Sequence, residues 1–131
     1  MANVKRDQMF TRIWGKAKMA GIAAGDNAIP APMVVTEHKN PLDDNSKVTN
    51  QWFVSEGVCG FGWVTVRPGN CAFANWLKRT GRGRIDSYAG GVIVWISEHR
   101  QSYTRKTAHA DAMASVLRDN GIKASGNGRV D

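Results

Sequence analysis

Three short stretches carry side chains that can do chemistry. The segment "KRTGRGR", residues 78–84, sets four cations, Lys78, Arg79, Arg82 and Arg84, among glycines and a threonine. Glycines let a backbone come close to a phosphate chain, and each guanidinium offers paired donors to phosphate oxygens. The segment "RQSYTRK", residues 100–106, opens what reads as a helix. The free N–H groups of a helix start and its positive dipole end would attract an anion together with Arg100, Ser102, Arg105 and Lys106. The third stretch is "CGFGWVTV", residues 59–66. Alternate residues of a strand share a face, so Phe61, Trp63 and Thr65 point one way and Gly62, Val64 and Val66 the other. Aromatic rings flanked by glycine suit the stacking of a planar base, and suit equally a helix lying close over the sheet.

The signs of catalysis are weaker. His99 and His109, with Glu98 and Asp111 beside them, are expected near one end of the sheet, and a His/Glu/Arg set can move protons or hold a metal. Yet His38, His99 and His109 lack the tight spacing of metal ligands, and Cys59 and Cys71 form no CxxC pair. No nucleophile–base pair or phosphate-binding Walker loop is readable. The pattern favours binding without catalysis, with no cofactor and no metal.

Charge supports that emphasis. The chain has 131 residues and a formal net charge of +7. Residues 67–106 hold eight of the cations against two carboxylates, so nearly all the excess sits in the middle. Clustered cations mark a surface for phosphates or for an acidic protein. The length fits one domain, 1–131, and 42% apolar residues fit an ordinary globular core. No apolar run approaches the roughly 18–20 residues of a membrane span, and the N-terminus lacks a signal-peptide pattern. The expectation is a soluble, cytoplasmic protein with reduced thiols and no membrane partner.

The elements that must position these residues are legible in outline. Residues 7–24 read as a helix capped by Asp7 and stopped by Gly25, with Phe10, Ile13, Trp14 and Ala17 along one face. Residues 25–50 are rich in Pro, Asn and Asp and read as loop, with "MVVTE" as a short strand. "QWFVS" and "GFGWVTVR" read as a hairpin through "EGVC", "NCAFANWLKRTG" as a short helix, and "GGVIVWIS" as a central strand covered on both faces. Residues 102–119 read as the strongest helix, with Ser102 as its cap and Asn120-Gly121-Ile122 as its stop. "IKASGNGRVD" adds an edge strand. The fold class is α+β: residues 1–50 form an N-terminal helix and irregular segment, and residues 51–131 a β-β-α-β-α-β core with helices on one sheet.

The octamer at 59–66 resembles that of the RNA-recognition motif at five of its positions, Gly60, Phe61, Gly62, Trp63 and Val64. That family needs a second aromatic hexamer and a helix upstream, which residues 25–50 do not supply, so membership is rejected. A wider resemblance covers "APMVV", "GVCGFGWVTVRP", "FANWLKRTGRGR", "GGVIVWISEHRQSYTRKTAHADAMASVLRDNGIKA" and "GRVD". Together these resemble a small protein family of tailed bacteriophages with no established activity. The resemblance implies a phage origin and the cytoplasm of an infected host, or association with the virion; it supplies no catalytic residues.

The sequence therefore favours a non-enzymatic phage protein that binds nucleic acid or another phosphate-rich ligand. Its site would be Lys78, Arg79, Arg82, Arg84, Arg100, Ser102, Arg105 and Lys106, with Phe61 and Trp63 as stacking partners. The alternative is an interaction protein, either an inhibitor of an acidic host or defence protein or a virion accessory subunit. A nucleotide-sequestering protein is the third reading.

Overall fold

Gly60, Gly62, Gly126 and Gly128 decide how the layers meet. In the computed structural model, which describes residues 3–40, 42, 45 and 47–131, they sit under one helix on neighbouring strands. The elements in chain order are α1 (Val4–Asn27), β1 (Met33–His38), β2 (Val48–Val54), β3 (Gly60–Val66), α2 (Ala72–Arg79), β4 (Arg84–Ile85), β5 (Val92–Trp95), α3 (Tyr103–Asp119) and β6 (Ala124–Val130). Strands β4-β5-β3-β6 form an antiparallel sheet in that order. The result is a single compact α+β domain, as the sequence pattern predicts.

Helix α3 lies over β3 and β6. A Cβ at Gly62 would stand 2.8 Å from the Lys106 carbonyl oxygen, and one at Gly60 would stand 2.8 Å from the Tyr103 ring. Thr107 and Asp111 fill the corresponding space above Gly128 and Gly126. Beyond the glycines the same sheet face carries Val64, Val66, Val92, Val94 and Ile96, which meet Leu77 of α2 and Met113 and Leu117 of α3 in one core. Helix α1 packs along α3 and sends Phe10 edge-on against Phe73, with ring centroids 5.2 Å apart.

The helix ends follow local chemistry. Asn3 caps α1 by accepting from the Arg6 N–H at 2.9 Å, so the helix begins earlier than an Asp7 cap predicts. Asp7 instead accepts from Arg79 at 3.0 Å. Gly25 does not stop α1, which runs on to Asn27 and ends shortly before Pro30. Ser102 caps α3 as expected. At its other end Gly121 takes φ +78° and the Ile122 N–H donates to the Leu117 carbonyl at 3.0 Å, the predicted stop.

Two expectations are corrected. Strand β2 pairs with β1, in register Met33↔Val54 to Glu37↔Asn50, and not with β3. Both edges of β3 are taken by β5 and β6, which leaves β2 no partner there. Strand β5 is central but has helices on one side only, and Trp95 is 42% exposed. Positions 1, 2, 41, 43, 44 and 46, the last four within the segment expected as loop, lie outside the described residues. Among the described residues no helix is long and apolar enough to cross a membrane.

The close approach of α3 yields a paired test. Gly62→Ala forces a methyl group against backbone and is expected to cost about 1–3 kcal/mol. Gly15→Ala, in the exposed interior of α1 where nothing lies within 4 Å of the new atom, is expected to stabilise by about 0.5–1 kcal/mol. Urea unfolding of the two variants checks both signs.

Candidate nucleic-acid interface

A helix on one face of a sheet leaves the other face to its side chains. The ladder pairs Phe61 with Arg129, Trp63 with Asn127 and Trp95, and Thr65 with Ser125 and Ile93. Arg84 pairs with Ile93. Pairing and alternation together put Phe61, Trp63, Thr65, Ile93, Trp95, Arg84, Ser125, Asn127 and Arg129 on the face away from α3. The rings form a cluster there. Trp63 and Trp95 centroids are 5.1 Å apart at 53°, and Phe61 meets Trp95 edge-on at 6.3 Å. Phe61 and Trp63 stay half-buried by their neighbours in the plane of the sheet.

One cation touches the rings, and others lie further along the face. The Arg129 guanidinium lies 5.4 Å from the Phe61 centroid, a cation–π contact that leaves the charge available. Arg67, at the end of β3, donates to the Ala89 carbonyl at 3.3 Å. With Lys123, Thr65 and Ser125 it borders a shallow depression of about 190 Å³. Asn127 donates to the Thr65 hydroxyl at 2.9 Å. No carboxylate stands among the strand positions of this face, but Asp86, two residues beyond Arg84, lies within electrostatic reach of Arg67 at its margin. The arrangement can stack planar groups and hold anions beside them.

The sequence-predicted residues divide. Phe61, Trp63 and Arg84 belong to this face. Lys78 donates to the Gly69 carbonyl at 2.8 Å, and Arg79 is paired with Asp7. Arg82 rests over the Trp76 ring, 4.7 Å from its centroid, close to Trp95 at the end of β5. The stretch 100–106 is mostly occupied in holding the fold. Ser102 is buried, accepts from the Arg105 N–H and donates to the Glu56 carbonyl. Arg105 pairs with Glu56 at 2.6 Å and donates to the Gly25 and Asp26 carbonyls at the end of α1. Lys106 is buried over Gly62. Arg100 is exposed, in the left-handed region at φ 54°. Trp95, Arg67, Lys123 and Arg129 were missed. Alternation along β5 separates Trp95 from its buried neighbours, but only the register brings Arg129 to Phe61.

The histidines do come together. His99 Nε2 and His109 Nδ1 are 2.9 Å apart, and His99 Nδ1 is 3.4 Å from the Asp26 carboxylate. Asp26, not Asp111, completes the group, because Asp111 projects toward Gly126 on β6. Gly21 and Gly25 of α1 leave the room that the two imidazoles fill. One proton occupies the line between the rings, since two facing N–H groups would repel. Among the described residues no group of three or more His, Cys, Asp or Glu side chains is arranged to hold a metal ion.

Comparison with family models, with curated proteins and with solved structures finds no match.

Burial holds the His109 pKa below the ordinary 6.5, opposed in part by the Glu98 carboxylate and reinforced by His99 and Lys18. As pH falls below about 6.5 the unfolded chain therefore binds a proton that the folded chain refuses. The stability this group contributes is complete above that pH and is lost as pH falls toward the folded value. The expected result is a urea midpoint that declines as pH falls below about 6.5, with a shallower decline in His109→Gln. Equal slopes in the two proteins would contradict the assignment.

Proposed function

We propose that the protein binds unpaired nucleic acid across the open sheet face, as a module without catalysis. The observation that carries this reading is the cluster of Phe61, Trp63 and Trp95 on the sheet face away from α3, with Arg129 on the Phe61 ring and Arg67, Arg84 and Lys123 along the same face, cations that outnumber the neighbouring carboxylate, Asp86. Stacking on aromatic side chains needs bases whose faces are free, which a single strand offers and a duplex does not. The cations at the margin suit the backbone that runs beside stacked bases. The resemblance to a tailed-phage family supports an infected bacterial cell as the setting.

An acidic protein partner would find the same chemistry, because aromatic residues and arginine also dominate protein interfaces. Single strands are favoured because π faces add affinity for bases and little for carboxylates.

Fluorescence polarisation with labelled oligonucleotides over a salt series tests the reading. Single strands are expected to bind more tightly than duplex of the same length. Trp95→Ala is expected to weaken binding by about five- to a hundredfold, the loss of one base–aromatic stack worth about 1–3 kcal/mol. The double change Arg84→Ala and Arg129→Ala is expected to flatten the log–log salt slope by about 1.4, two phosphate contacts on a single strand. Wild-type affinity and salt slope in all of these variants would falsify the proposal.

A further inference from the structure

At the end of β5 the sheet face gives way to a cleft of about 330 Å³. This volume lies at the lower end of the range of about 300–1,000 Å³ typical of small-molecule sites. Two indoles line it, Trp14 from α1 and Trp95 from β5, together with Lys18, Arg82, Glu98 and His109. Strand β5, α1, α3 and the turn after α2 all contribute, so the lining depends on how these elements pack together.

The charges in the cleft lie within electrostatic reach of one another, Lys18 of Glu98 and His109, without closing an ion pair. Neither Lys18 nor Arg82 forms an ion pair with a described residue. Arg82 is steadied by the Trp76 π face and is not neutralised by a carboxylate. Glu98 is fixed through one oxygen, which accepts from the Ser97 N–H at 3.2 Å and from its hydroxyl at 3.3 Å. His109 is held from behind by His99.

We propose that this cleft binds a nucleoside phosphate, with the phosphate on Lys18 and Arg82, the base against an indole, and Glu98 accepting from a ribose hydroxyl or a base amino group. A bare inorganic anion would meet the Glu98 carboxylate and leave both indoles unused. A purely apolar ligand would strand two cations. A nucleotide carries an anionic end, a planar ring and hydrogen-bond donors in one molecule, which matches all three features. It can arrive free or as the phosphorylated end of a strand. The cleft shares Trp95 with the sheet face, but the inference does not depend on strand binding there.

Calorimetric titration of the full chain with adenosine monophosphate, uridine monophosphate, adenosine and inorganic phosphate provides the test, alongside oligonucleotides with a 5′-phosphate or a 5′-hydroxyl. A monophosphate is expected to bind at least tenfold more tightly than adenosine or inorganic phosphate and to change tryptophan fluorescence. Lys18→Ala, on the exposed side of α1, and Arg82→Ala are each expected to weaken it by about fivefold or more. Lys5→Ala, in the first turn of α1, leaves it unchanged. A 5′-phosphate preference that disappears in Lys18→Ala identifies a strand end as the source, whereas monophosphate binding without that preference identifies free nucleotide. The proposal is overturned if neither monophosphates nor 5′-phosphates bind preferentially, or if Lys18→Ala binds as the unaltered protein does. Oligonucleotide binding that persists in that case leaves the sheet-face reading standing, and monophosphate binding without oligonucleotide binding does the reverse.

Discussion

The contact between α3 and the glycines of β3 and β6 is the constraint on which the rest of the structure depends. With no side chain at Gly60, Gly62, Gly126 and Gly128, α3 lies so close that an added Cβ would run into its backbone above Gly62 and Gly126 and into its side chains above Gly60 and Gly128. That closeness leaves no volume on the helix side of β3 for a ring. Its aromatic residues, at the alternate positions 61 and 63, therefore stand on the opposite face, where no helix packs. The placement of the aromatic cluster is thus a consequence of how tightly the other face is closed. Changing the glycines would alter the face as much as the core.

The same device recurs one layer out. Gly21 and Gly25 let α1 settle on α3 with His109 and His99 between them, and Arg105 ties the end of α1 to the start of α3 through the Gly25 and Asp26 carbonyls. A guanidinium on the final carbonyls of a helix is favourable for the helix dipole as well as for hydrogen bonding. This explains a density of cations at 100–106 that a solvent-facing reading assigns to a ligand. Ser102, Arg105 and Lys106 hold elements together, and the charge that faces outward lies instead on the strands, at Arg67, Arg84 and Arg129. Net charge reports how many cations a chain carries, while only their partners report which ones remain free.

Legibility followed the range of the interactions. The stop of α3 at Asn120-Gly121-Ile122, the short helix after Cys71 and the edge strand at the C-terminus depend on neighbours in sequence, and each was readable. So was the alternation that separates Phe61 and Trp63 from Val64 and Val66. The partner of β2 was not readable, because it depends on β5 and β6 occupying both edges of β3. Asp26 could not be associated with His99 for the same reason, since 73 residues separate them. The Arg129–Phe61 pairing rests on the register of two strands that neighbour each other in the sheet but lie far apart in sequence. Half of the candidate face was therefore visible as a strand pattern, and its cationic half was not.

An open face with three large rings would ordinarily invite association between copies, and the packing within it limits that tendency. Phe61 meets Trp95 edge to face and Trp63 lies tilted against it, so each ring covers part of the next and little continuous flat apolar surface remains. Arg129 lies over Phe61 and places a charge where a second sheet would have to dock. The outer strand β4 is only two residues long, which gives little backbone for edge-to-edge pairing. A planar ligand with an anionic backbone is not opposed by these features: it can slide against an exposed ring, meet the guanidinium as a partner, and leave the strand edges alone. A surface arranged this way discourages flat apolar protein contacts more than it discourages bases.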